Sequence, residues 1–240
     1  MQLPAWQPEA LESILVLLLC TIGFTVYHFL SGANRTRALL RLRYGARKAP
    51  TQNIFFQRYL GMISIGLLPA FVLWLVLGKG LSSYGVKADN LVLSFYWILG
   101  LGLLIIIINY FNTQNRETQK VYPMIREQEW TIGLAARNAI SWIAYLAGYE
   151  LMFRGILLFG LVPTFGIWPA IAVNAAIYAF AHVPKNLAET LGAIPLGIIL
   201  CLITLQTGTI WAALFIHITI ALSTSFLSIY AHPTFRFVNK

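Results

Sequence analysis

The stretch Leu91–Phe111, LVLSFYWILGLGLLIIIINYF, holds no charged side chain, and nothing else in the chain limits its fold so strongly. A run of about 20 apolar residues is the length of a helix that crosses the hydrocarbon core of a bilayer. In lipid every backbone N–H and C=O must pair within the protein, so only helices and closed barrels can span. Barrel strands alternate apolar and polar side chains over short segments, whereas the runs here are continuous. Six further runs follow the same rule, at about Leu11–Leu30, Tyr59–Leu77, Ile140–Val162, Ile167–His182, Ala193–Gln206 and Ile210–Tyr230. The expected fold class is therefore all-α, a polytopic transmembrane helical bundle of about seven spans. Only 10% of the residues are charged, against about 25% in soluble domains, so a soluble fold is excluded.

The formal net charge of +9 raises the question of nucleic acid, and its distribution answers it. Arg35, Arg37, Arg41, Arg43, Arg47 and Lys48 cluster just after the first apolar run, where basic loops set membrane orientation. The partners implied are membrane lipids and no nucleic acid. With the N-terminus outside, the inner side collects this segment through Arg58, then Arg116, Lys120, Arg126, Lys185, Arg236 and Lys240. The outer side receives Lys79 and Lys87, which gives an N-out, C-in topology. Leu39, Leu40 and Leu42 suggest a short interfacial helix in the basic loop. The N-terminus, MQLPAWQPEALE, lacks the basic region of a signal peptide, so the first run reads as a retained span. Cys20 and Cys201 lie inside apolar runs and support neither a disulfide framework nor a metal-binding spacing. The simplest division is a three-span unit with basic and charged cytoplasmic loops over 1–130 and a four-span core over 131–240.

That core holds polar residues that lipid does not favour. An ionised side chain at the centre of a spanning helix costs about 2.5–3.5 kcal/mol on insertion scales, and such residues mark functional sites by default. Glu150 and Arg154 are four residues apart, so on a helix they share a face and can pair; a purely structural ion pair is the bland reading. His182 and His217 each end or interrupt an apolar helix, in AIYAFAH and ALFIHITIAL. Arg137 and Asn138 place the start of their run in the interface, with the span proper beginning near Ile140. A carboxylate, two imidazoles and a guanidinium within four consecutive spans suit peptide hydrolysis, which needs a base for water and donors for the oxyanion. The imidazoles can donate to that oxyanion, or Glu150, His182 and His217 can form a His/His/Glu set for Zn2+ with an open position for water. A metal-free mechanism remains open beside it.

The order YELMFRG, YAFAH, TGTIWAALFIH resembles the three motifs of the CAAX protease and bacteriocin-processing family of intramembrane proteases. These run Glu-Glu-x-x-x-Arg, Phe-x-x-x-His and His-x-x-x-Asn on successive helices. The resemblance covers roughly Ile140–Ala221 and implies cleavage of membrane-associated peptides or protein tails by a Glu-activated water. It also implies a multi-pass protein of a bacterial or archaeal cell membrane whose active site opens to the cytoplasm. Glu150, Arg154, His182 and His217 fall on motif positions. Tyr149 stands where the family has its first glutamate, the catalytic acid/base, and Ala221 where it has asparagine, with Thr219 and Thr224 nearby. Either Glu150 takes the base role, helped by Glu189 folding back from the segment after Pro184, or the site is degenerate and the protein a membrane scaffold. Tyr149 is an auxiliary candidate as an oxyanion donor. A proton-coupled transporter is a third class; the chain shows neither the repeat symmetry nor the paired broken helices of that class.

Overall fold

Apolar runs become helices throughout. The computed structural model describes residues 10–184 and 187–238, which leaves the first nine residues of the N-terminal lead-in, Lys185 and Lys240 outside the described set. The helices are α1 (Leu11–Gly32), α2 (Asn34–Leu77), α3 (Leu91–Asn112), α4 (Arg116–Val121), α5 (Ile132–Phe165), α6 (Ile167–His182), α7 (Leu187–Thr207) and α8 (Trp211–Ala231). Six are long and apolar enough to cross a bilayer, and α6 is a shorter apolar helix of 16 residues. The chain is thus an all-α polytopic bundle. Its outward faces are apolar and exposed, as at Val92 (70%) and Phe111 (67%) on α3, which is the inverse of a soluble fold and suits lipid.

Two boundaries differ from expectation. Leu39, Leu40 and Leu42 form no separate interfacial helix, because α2 runs from Asn34 into the second span with one break at Gly45 (φ 75°, ψ 161°). Pro50 lies inside the helix, five residues past that break. The fourth span does not begin at Ile140. Thr131 caps α5 by accepting the Leu134 N–H at 3.2 Å, so the helix starts two turns earlier. Asn138 is buried in protein rather than interfacial, and its Nδ2 donates to Ser225 Oγ on α8 at 3.1 Å.

Helix α5 is the axis of the bundle. It packs against α2 and α8 and, through its π-helical turn at Leu151–Leu157, against α1, α6 and α7. A turn of this kind widens the helix locally and recurs at functional sites. Helix α3 lies along α8, and Asn109 Nδ2 donates across them to Ser223 Oγ at 2.8 Å. The strands Glu129–Trp130 (β1) and Arg236–Phe237 (β2) pair in parallel and fasten the tail to the α4–α5 connection.

The α2–α5 crossing depends on two glycines. A Cβ on Gly66 would lie 2.4 Å from Gly148 Cα, and one on Gly148 would lie 2.7 Å from Met62 Cα. Small residues at such a crossing let backbones touch and bring packing forces into play. Gly148→Val is expected to force the helices apart and destabilise the protein by about 1–3 kcal/mol. Thermal unfolding in detergent measures it; an unchanged Tm would contradict this view of the crossing.

Candidate active site

The π-helical turn of α5 begins immediately after Glu150 and contains Arg154. Both side chains are fully buried, with Arg154 Nε 3.4 Å from Glu150 Oε2. The guanidinium lies over the Tyr178 ring of α6, 4.3 Å from its centroid. No hydrogen-bond partner is found for its three nitrogens among the described residues. Its ordering therefore rests on the carboxylate and the aromatic face.

The other carboxylate oxygen, Oε1, lies 2.6 Å from His217 Nδ1 on α8. An ionised carboxylate only accepts, so Nδ1 carries the proton and Nε2 presents a lone pair. His182 on α6 is set in the same way, its Nδ1 donating to the Tyr178 carbonyl at 2.8 Å, one turn back. Tyr149 sits between the imidazoles, with ring centroids 5.7 Å from His217 and 6.4 Å from His182. It also packs on Phe153 and Tyr178.

These groups border a cavity of about 530 Å³. Tyr149, His182, His217 and Glu189 all line it, as do Ala221 and Thr224. Thr219 instead donates to the Phe215 carbonyl of its own helix at 2.9 Å. Glu150 and Arg154 lie behind the wall, so the carboxylate reaches the cavity through His217. Glu189 does fold back over the cavity, where it accepts from the Tyr122 hydroxyl at 3.2 and 3.3 Å. Burial and the Glu189 carboxylate raise the Tyr122 pKa, so that hydroxyl stays a donor.

The donor set does not suit a three-ligand metal centre. Glu150 Oε1 is taken up by His217 Nδ1, and among the described residues no three His, Cys, Asp or Glu side chains gather as a metal-ion site. Glu150, His182 and His217 thus come together as a hydrogen-bonded pair with a neighbour, not as a coordination trio.

Sequence reasoning missed Arg58, Trp142 and Tyr145, all cavity-lining. Arg58 closes the basic segment and reads as one more topogenic charge, yet it is 4% exposed. The one available signal was its place beside the second apolar run rather than in the loop.

Fold and site together define a polytopic helical membrane protein with a histidine–carboxylate pair at a semi-enclosed cavity. Residues 132–223 match the family model of type II CAAX prenyl endopeptidases, Rce1-like, which supports the resemblance to the CAAX protease and bacteriocin-processing family over that segment. The match begins with α5 and takes in every motif residue named above, while the three N-terminal spans lie outside it. No curated protein and no solved structure gives a significant match.

Proposed function

We propose that the protein hydrolyses a peptide bond in a membrane-associated peptide or protein tail, with His217 as the base and Glu150 as its positioning residue. One observation carries this reading: Glu150 Oε1 holds His217 Nδ1 at 2.6 Å while His217 lines the cavity. The carboxylate fixes the tautomer and favours the imidazolium that forms when Nε2 takes a proton from water. Hydroxide then adds to the amide carbon. The developing oxyanion accepts from the Tyr149 hydroxyl, and from His182 when its Nε2 carries a proton in addition to Nδ1. His217 returns its proton to the leaving nitrogen as the C–N bond breaks. Arg154 offsets the charge of Glu150, which allows an ionised carboxylate to persist in the bundle. The charge rule places the Tyr122–Glu189 side of the cavity, which carries the basic segment, toward the cytoplasm.

Reconstitution with a prenylated tail peptide tests the proposal, product being read by mass spectrometry. Treatment with a chelator is expected to leave the rate unchanged, because the site as arranged works through proton transfer between imidazole and water. Loss of activity, restored by Zn2+, would replace this mechanism with a metal-assisted one.

One observation favours a second reading, a non-catalytic membrane partner of the same fold. Position 149 presents a buried aromatic ring to both imidazoles (Tyr149, 4% exposed), where the family motif has a carboxylate. A partner role would leave capture of the tail intact and insensitive to His217 substitution, with no product formed.

A further inference from the structure

Asn174 is fully buried on α6, and no hydrogen-bond partner is found for its Oδ1 among the described residues. Its Nδ2 donates to the Phe153 carbonyl of α5, inside the π-helical turn. That carbonyl also accepts the Leu158 N–H, five residues further on. A bond of that reach is what separates a π-turn from an α-helix, where the carbonyl would meet the N–H four residues on. A carbonyl oxygen has two lone pairs, so the amide and the Leu158 N–H share the Phe153 oxygen.

An amide with one atom unpaired is costly in a dry interior, and an apolar side chain would fill the same place without that cost. What the amide holds therefore matters. Asn174, Tyr178 and His182 recur every four residues and are all buried, so they share one face of α6. The Tyr178 ring carries the Arg154 guanidinium, and Arg154 in turn meets Glu150. One hydrogen bond thus ties the turn that holds Arg154 to the helix face that receives it. Were the turn to relax to α-helical bonding, a one-residue change of register would rotate its two flanks against each other by about 100°. Glu150 lies at the first of those flanks, and its carboxylate would swing away from His217.

We infer that Asn174 is a positioning residue whose amide pins the π-helical register of α5 and so aims the Glu150 carboxylate at His217. Its effect on rate rests on the hydrolytic reading above; its effect on the histidine–carboxylate pair rests on the geometry alone.

The test reads both, in the full-length protein in lipid. The proton on His217 Nδ1, held against a carboxylate oxygen at 2.6 Å, is a short charge-assisted bond and gives a far-downfield resonance in nitrogen–proton spectra of isotope-labelled histidines. Its loss in His217→Gln identifies it. Asn174→Leu removes the donor at similar volume, and Asn174→Ala removes it without adding any. Both are expected to move the resonance upfield or abolish it. Both should also lower kcat by tenfold or more, toward the roughly 10²-fold cost of a misplacement of about 1 Å, with KM little changed. Ile171→Ala is the control: Ile171 is buried on the same helix and is not among the cavity-lining residues. It should lower the Tm and leave resonance and kcat in place. The inference is overturned if either Asn174 variant, folded, keeps the resonance where the wild type has it. It is also overturned if Ile171→Ala shifts the resonance as far, since Asn174 would then serve packing alone. Turnover reads the hydrolytic proposal separately. A displaced resonance with unchanged kcat, or with no cleavage by the wild type, defeats the hydrolysis by His217 and leaves the Asn174 assignment standing.

Discussion

Replacing Glu150 by Gln is expected to lower stability by about 3–5 kcal/mol, the cost of leaving one member of a buried ion pair alone. Arg154 would remain fully buried with no carboxylate to meet it, since Glu150 is its only ion-pair partner among the described residues. Adding Arg154→Met removes the stranded charge, and the double variant is expected to recover most of the loss, because neutral isosteres often replace buried pairs without penalty. Activity should not return with it. Without the carboxylate, His217 loses both its fixed tautomer and the charge that favours its protonated form. Denaturant unfolding in micelles, run beside the peptide assay, separates the two roles. If the double variant recovers stability and cleavage together, Glu150 serves only the fold.

The second large effect falls on His217. His217→Gln leaves a side chain that can still hydrogen-bond Glu150 and fill the α5–α8 contact, but it has no lone-pair nitrogen to take a proton. Catalysis is expected to fall by about 10²–10⁴-fold, the usual contribution of a positioned general base. KM should change little, because the imidazole contributes proton transfer rather than grip. A drop confined to KM would make His217 a binding residue.

These expectations show which parts of the molecule hydropathy could convey. Continuous apolar runs give the depth of a residue in the membrane, and they located the spanning helices to within about two turns except at the start of α2, which begins at Asn34 rather than Tyr59. Ionisable residues inside those runs stood out for the same reason, which is why Glu150, Arg154, His182 and His217 could be singled out before any coordinates. Hydropathy says nothing about which face of a helix meets which neighbour. That Glu150 stands behind the cavity wall and reaches it only through His217 depends on the π-helical turn and on the Gly66–Gly148 approach, neither of which has a periodic signature. Asn138 and Arg58 illustrate the same limit. Asn138 reads as interfacial and Arg58 as one more inner-side charge, and each is buried because α2 and α5 cross closely enough for one to bond the other. Glu189 was legible only as a residue able to fold back; its hydrogen bond with Tyr122 joins segments 67 residues apart.

The most direct test of the central claim is cleavage of a prenylated tail peptide by the purified protein in proteoliposomes, followed by mass spectrometry. The account predicts one defined product from the wild type, none within the same time from His217→Gln, and none from the refolded Glu150→Gln/Arg154→Met pair. Equal product from all three proteins would show that the histidine–carboxylate pair does not activate the water.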